Sequence, residues 1–373
     1  MSAHLRDLDD TEDLVAADHD GLLRSAAMSG AHVRAVAHAV AEGALDRLTD
    51  LRPRAVVIVT GRSSIADRAA RLAVALLASR FDAPVVVAPT LPGWIGPLDV
   101  VVVAGDDPGD RTYSDAAHRA LRRRAELVAA VPLEGPVADA VGADHVADLS
   151  PRLPVDPRFS FVRLVAALVA VCGAFDAVRL HPAPPTLADI ADLLDAEAVA
   201  DHPDHESFHN QAKLLAYRVA GRTVVWAGDT AASTVVAEHV SATMAAVAGA
   251  ASSSGDEQSA LARLRVRVHS AGTATDSIFY DPDFDDAPPA EQARVMLLTT
   301  AERSWGAHQR IVGLGDVDVI TEQVDAPDSP AGLMRPRVEP DHADAPADLA
   351  AHLTVVVRAD LAAAYLELAG ASA

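Results

Sequence analysis

The chain has 373 residues, room for two domains at the usual size of roughly 150 residues each. Half of the residues are hydrophobic but only 4% are aromatic, so the core must be built from Ala, Val and Leu, which suits parallel strands covered by small-faced helices. With 31 Lys and Arg against 53 Asp and Glu, the formal charge of -22 repels polyanions and excludes a nucleic-acid surface; a phosphate could be held only locally, by the free amides of a helix N-terminus.

The first residues, Met1 to Asp7, are polar and acidic and lack the basic flank and apolar stretch of a signal peptide. Two helices are expected in the first fifty residues, from Leu14, Leu22 and Leu23 and then Val33, Val36, Val40, Leu45 and Leu48 at helical spacing. Ala55 to Thr60 reads as a fully apolar strand that turns through Gly61-Arg62-Ser63-Ser64 into a helix from Ile65 to Ser79. Pro84 to Ala88 and Asp99 to Ala104 are two more β-branched runs. The second leads through Gly105 to Thr112 into a helix over Tyr113 to Arg124 and a strand over Leu127 to Val131. Alternation of this kind predicts a parallel, doubly wound sheet.

Pro151 to Pro157 breaks the chain before an apolar helix over Phe159 to Phe175. That helix contains the longest apolar run, Leu164 to Phe175, which is shorter than the ~18–20 residues of a membrane span. The one cysteine, Cys172, lies in it and reads as a small buried hydrophobe. A cytoplasmic protein without a membrane partner is expected. Proline-rich stretches on both sides of a short helix over Leu187 to Val199 read as a connector between domains.

After a helix over Phe208 to Ala220, Thr223 to Ala227 is again a strand, and Gly228-Asp229-Thr230-Ala231-Ala232-Ser233 again turns into a long helix, a weak internal duplication of one α/β unit. Strands over Arg265 to His269, Arg294 to Leu298 and Val317 to Thr321 are expected to complete a second sheet. Ala250 to Ser259, Asp281 to Pro289 and Asp325 to Ala345 read as loops, and a final helix runs from Pro346 or Asp348 to Ala369.

Three short segments carry a resemblance. Asn210-Gln211-Ala212-Lys213-Leu214-Leu215-Ala216, Pro154-Val155-Asp156-Pro157-Arg158 and the terminal Ala359 to Gly370 resemble, in order and spacing, segments of the bifunctional phosphoglucose/phosphomannose isomerases of the sugar isomerase (SIS) group, in an actinobacterial-type branch apart from the characterised isomerases. The resemblance spans roughly residues 30 to 373. It implies an α/β fold of two tandem SIS-like domains, each a parallel three-layer sandwich: residues 1–180, a connector over 181–207, and residues 208–373. It also implies a hexose phosphate ligand, a homodimer and no cofactor.

Gly61, Arg62, Ser63 and Ser64 form the best phosphate cradle, because glycine admits the anion close to the backbone and the serines add hydroxyls at a helix N-terminus; the same residues would serve as an ordinary cap. The family's second, Ser- and Thr-rich loop reads Ala104 to Thr112 here and carries three carboxylates, leaving Arg111 and Thr112 as plausible phosphate partners. Aldose-ketose isomerisation needs a carboxylate base and an acid beside the substrate. The family's glutamate is missing from the helix around Ala245, and its His-Asn-Glu position falls near Asp276 to Asp281, where that motif is absent. Glu238, His239, Glu257 and His269 are the nearest substitutes, with Asp256 beside Glu257, so catalysis looks eroded. The alternative is a non-catalytic phosphosugar-sensing or assembly protein. His202, His205 and His209 lack flanking Cys or a His-Glu-x-x-His frame, and no metal is expected. Because Val59 is not followed by Gly-x-Gly-x-x-Gly, a dinucleotide oxidoreductase is a poor reading.

Overall fold

Three helices, not two, open the chain: α1 (Thr11–Ala17), α2 (Leu22–Ala27) and α3 (Ser29–Ala41). The run is split because the Asp18 carboxylate accepts from the amides of Leu22 and Leu23, at 2.6 and 3.0 Å, and Gly21 takes a left-handed conformation at φ 66°. The computed structural model describes residues 6–143, 146–275, 293–323 and 344–370, with residues 267–275 given by backbone alone.

The first sheet follows the valine-rich runs. Its elements in chain order are β1 (Ala55–Val59), α4 (Ser64–Leu77), β2 (Val85–Ala88), β3 (Asp99–Ala104), α5 (Arg111–Arg122), β4 (Glu126–Ala130), α6 (Gly135–Val141) and β5 (Ala147–Asp148). All strands are parallel, in the order β2-β1-β3-β4-β5, with Val57 paired to Val86 on one side and to Val101 on the other. Helix α7 (Phe161–Gly173) then covers the sheet, buried on nearly its whole circumference, with Cys172 inside it.

Helices α8 (Leu187–Ala200) and α9 (Gln211–Val219) lead to the second sheet: β6 (Val224–Gly228), α10 (Ala231–Ala248), β7 (Ser252–Asp256), α11 (Glu257–Thr275), β8 (Arg294–Leu298), α12 (Ala301–Arg310) and β9 (Val317–Ile320), closed by α13 (Leu349–Leu368). Its order is β7-β6-β8-β9, again all parallel. Strand for strand this repeats β2-β1-β3-β4, so the suspected duplication is a duplication of topology.

Two sequence expectations fail here. Ala250 to Ser259, expected as a loop, contains the edge strand β7, whose Ser252-Ser253-Ser254-Gly255-Asp256 has no apolar pattern because its outer face is exposed. Arg265 to His269, expected as a strand, lies in the middle of α11; Leu261 and Leu264 set its buried side, while Val266 is exposed. The expected Asp281–Pro289 loop, most of the Asp325–Ala345 loop and the Asp276–Asp281 segment lie outside the described residues.

Strand alternation sorts the side chains. Val57, Val59, Val101 and Val103 face a cluster under α5 and α6, and Ala227, Val295 and Leu297 face one under α11 and α12. The opposite faces, Val56, Ile58, Val100 and Val102 from the first sheet and Val224, Trp226, Met296 and Leu298 from the second, belong to one continuous core that takes in α4, α7, α10 and α13. Helix α4 packs on α7 and α10, and α8 packs between α3 and α13. Helices α10 and α13 are long and apolar enough to cross a membrane by length and composition, but both are mostly buried in this core. Leu361, Tyr365, Leu366 and Leu368, the apolar residues of α13, are buried inside the chain and offer no face to a second copy.

Candidate functional site

In a sheet of order 2-1-3-4-5 the connections leave β1 and β3 in opposite directions, and a crevice opens between the turns at their carboxyl ends. Gly61 to Ser64 is one of these turns and Gly105 to Thr112 is the other, so the sequence-predicted substrate residues Gly61, Arg62, Ser63, Ser64, Arg111 and Thr112 are brought together.

What fills the crevice is the protein itself. Asp110 is the N-cap of α5 and accepts from the Thr112 amide at 2.9 Å, while its other oxygen accepts from the Arg62 amide across the gap at 3.3 Å and lies 3.6 Å from the Arg62 guanidinium. Burial pushes the Asp110 carboxyl upward, but these amides and the Arg62 charge outweigh it and hold the group below the usual carboxylate range. The Tyr113 hydroxyl donates to the Thr60 carbonyl at 2.7 Å. Its ring leaves no room for side chains at the two turn glycines, since a Cβ on Gly61 would stand 2.6 Å from the ring and one on Gly105 would stand 2.2 Å from the hydroxyl. Gly61 also sits at φ 58°. Ser63 caps α4 by accepting from Ala66 N at 3.2 Å, and Ser64, Arg62 and Arg111 are exposed.

The four catalytic candidates do not join them. Glu238 on α10 forms an ion pair with Arg71 of α4, which lies seven residues, about 10 Å of helix, beyond Ser64. His239 is sealed in the core, its ring stacked on Phe161 at 3.9 Å between centroids, with Nε2 3.9 Å from the buried Asp360 carboxylate. Burial, reinforced by the charge of Arg68, drives the His239 pKa well below the ordinary value, and burial drives that of Asp360 well above. Glu257 opens α11 and pairs with Arg310 at 2.6 Å, at the second sheet. His269 lies on α11, with its side chain outside the described residues. Among the described residues no histidine hydrogen-bonds to the Gly61–Ser64 turn.

The open space lies one strand further along. Beyond β3, β4 and β5 a cleft of about 430 Å³ is lined by Asp106, Glu134, Arg152, Ser160, Arg163 and a frame of prolines, a size that suits a small ligand. Arg163, in the first turn of α7, is 3% exposed and forms its floor. Its Nη2 donates to the carbonyls of Gly105 and Ala130, both at 3.1 Å, and Nη1 reaches that of Leu149 at 3.4 Å, so one guanidinium caps three strand ends. Nε has no partner, and among the described residues no carboxylate is within ion-pairing distance. Burial lowers its pKa to about 10, opposed by the charge of Asp106, and it remains a cation at neutral pH. Arg152 reaches over the same cleft and pairs with Glu42. The sequence carries a signal for Arg163, a lone charge in an otherwise apolar helix, but not for the three carbonyls that surround it.

The same architecture recurs among solved structures. A Clostridium novyi protein bearing the name of a tagatose-6-phosphate ketose/aldose isomerase superposes with a TM-score of 0.58 at 10% identity, covering 96% of this chain and 91% of that one. The chain carries the sugar isomerase fold in tandem. The C-terminal domain of glucosamine-fructose-6-phosphate aminotransferase from Francisella tularensis matches with a TM-score of 0.52 at 8% identity over 94% and 96% of the two chains. A glucose-6-phosphate isomerase like protein from Thermus thermophilus matches with 0.50 at 15% identity over 98% and 93%. At such identities the likeness is one of SIS fold. No protein-family model matches the chain, and no curated protein matches it in sequence.

Proposed function

We propose that the chain is a phosphosugar-binding protein that takes its ligand in the Arg163 cleft, at the carboxyl edge of the first sheet, and does not isomerise it. The observation that carries this reading is the buried guanidinium of Arg163, which has no ion pair among the described residues. An unpaired buried charge is unfavourable, and a phosphate in the cleft that Arg163 lines would offset it. The neighbours named for phosphosugar isomerases support the ligand class; the glucose- and mannose-6-phosphate branch rests on the sequence resemblance alone. The absence of turnover is supported by the engagement of Glu238 with Arg71 and Glu257 with Arg310 and by the burial of His239. In this reading the first unit spans residues 1–180 and the second residues 208–373, joined by 181–207.

The test is a thermal-shift comparison of glucose, mannose and fructose 6-phosphates with the free sugars, run beside a coupled isomerase assay. A ligand at 100 times its Kd stabilises the native state by about 2.7 kcal/mol. The expected result is a shift with the phosphorylated sugars only and no turnover. Conversion at ordinary isomerase rates, about 1–10³ s⁻¹, would sink the non-catalytic reading, and equal shifts with free sugars would sink the anion site.

A further inference from the structure

At the carboxyl edge of the second sheet the charges are arranged differently. The carboxylate of Asp229, next to the end of β6, accepts from the Thr299 hydroxyl at 2.5 Å and lies 3.4 Å from the Arg303 guanidinium. Arg303 Nη1 donates to Asp348 at 3.0 Å, and Arg310 stands 3.8 Å from Asp229 while pairing with Glu257. Asp344 completes the group by accepting from the Ala232 amide at the start of α10 at 3.0 Å. Four carboxylates, those of Asp229, Glu257, Asp344 and Asp348, therefore face two guanidinium groups, and the cluster keeps an excess of negative charge.

Three side chains in it point at one another. Asp344 lies in the extended segment that leads into the terminal helix, Asp348 immediately precedes α13 and His352 is in its first turn, and a ligand atom from each lies within 4.8 Å of the others. His352 is 3% exposed and its Nε2 has no hydrogen-bond partner; Oδ1 of Asp344 is likewise buried and unpartnered. Both bonds to Asp348, from Arg303 and from the Ala345 amide, end on Oδ2. A neutral imidazole nitrogen and two carboxylate oxygens, one of them steadied from behind by a guanidinium, form an N/O donor set with a second shell.

We propose that Asp344, Asp348 and His352 hold one divalent transition-metal ion, for which Zn²⁺ is the fitting probe. The ion would satisfy His352 Nε2 and Asp344 Oδ1 together and offset the excess negative charge, and half-buried Asp344 marks the side open to solvent. Small side-chain rotations would bring the three atoms to the ~2.0–2.2 Å bonds of such a site, leaving a fourth position for water. No metal was expected at these positions, because Asp-x3-Asp-x3-His lacks the cysteines or the His pair that mark structural zinc. The proposal does not depend on the ligand of the first sheet.

The experiment uses the full chain, stripped with a chelator and titrated calorimetrically with Zn²⁺, with Asp344→Asn and His352→Gln alongside. One equivalent is expected per wild-type chain, with affinity lowered at least tenfold in each variant and a Zn²⁺-dependent rise in Tm that Asp344→Asn abolishes. If His352→Gln fails to fold, half-buried Asp344→Asn carries the comparison. No binding to the wild type would overturn the proposal, and equal affinity in wild type and Asp344→Asn would place the ion on other residues and overturn it as well.

Discussion

Arg163 and the His239–Asp360 pair differ in what burial does to their charge. Arg163 keeps its proton because a guanidinium that burial lowers to about 10 is still charged at neutral pH. His239 and Asp360 become neutral instead, and neither ring nitrogen of His239 has a hydrogen-bond partner. The linkage signs are opposite. The unfolded state takes up a proton at His239 as pH falls below about 6.5, so this site weakens folding progressively towards acid. It gives up a proton at Asp360 as pH rises above about 3.9, so that site weakens folding towards neutrality. Asp360→Asn is therefore expected to raise Tm most at pH 8 and least near pH 4, and His239→Leu to raise it most on the acid side, where the charge of Arg68 also opposes a protonated His239. Thermal denaturation across pH 4–8 checks this, and pH-independent shifts would contradict it. Asp110 was legible in the sequence only as one of three repelling carboxylates. Its role as N-cap and bridge to the Arg62 amide depends on a turn 48 residues away.

Strands and helices were legible wherever burial on both faces leaves a continuous signature. β1, β3 and β8 match their expected runs to within a residue because central parallel strands must be apolar throughout. β7 and β5 were not legible, since the polar Ser252–Asp256 run and a strand of two residues leave no apolar pattern, unlike the valine-rich edge strands β2 and β9. The Arg-Val-Arg-Val-His alternation inside α11 imitates a strand, and only its place in the chain's packing resolves it. At this scale two contrasts can be measured. Gly228 ends β6 where α10 passes so close that a Cβ would stand 2.1 Å from the Thr234 amide nitrogen, a backbone atom that cannot swing aside. Gly228→Ala is expected to cost more than about 4 kcal/mol, among the exceptional single substitutions. The Arg71–Glu238 pair joining α4 to α10 is more than a third exposed on both sides, and Glu238→Gln should cost no more than about 1 kcal/mol. Urea denaturation of both variants reverses the ranking if the helix contact is governed by charge and not by close backbone approach.

The whole molecule was legible as two α/β units, yet the union of their inner faces in one core was not. That core runs from Leu8 through Trp226 to Ala369. The chain is expected to unfold in a single transition seen alike by tryptophan fluorescence and circular dichroism, and two separated transitions would show that the sheets are energetically independent. A homodimer remains a proposal drawn from the resemblance. With the apolar residues of α13 enclosed, it would have to use exposed groups such as Phe208, Tyr217 or Val199, and light scattering should give twice the chain mass.

The central claim is that the Arg163 cleft, and not the self-filled crevice at the β1 and β3 turns, receives a sugar phosphate. Calorimetric titration with the phosphosugar giving the largest thermal shift, on wild type, Arg152→Ala, Arg163→Met and the Ser63→Ala/Ser64→Ala double variant, tests it most directly. Arg152 is a half-exposed side chain whose pair with Glu42 lies at the surface, so its loss is expected to cost no more than about 1 kcal/mol, and the serine pair loses only a cap worth about 1 kcal/mol. The account predicts binding weakened at least tenfold by Arg152→Ala, abolished by Arg163→Met, and unchanged in the serine double variant. Binding lost in the serine variant and retained in both arginine variants would contradict it.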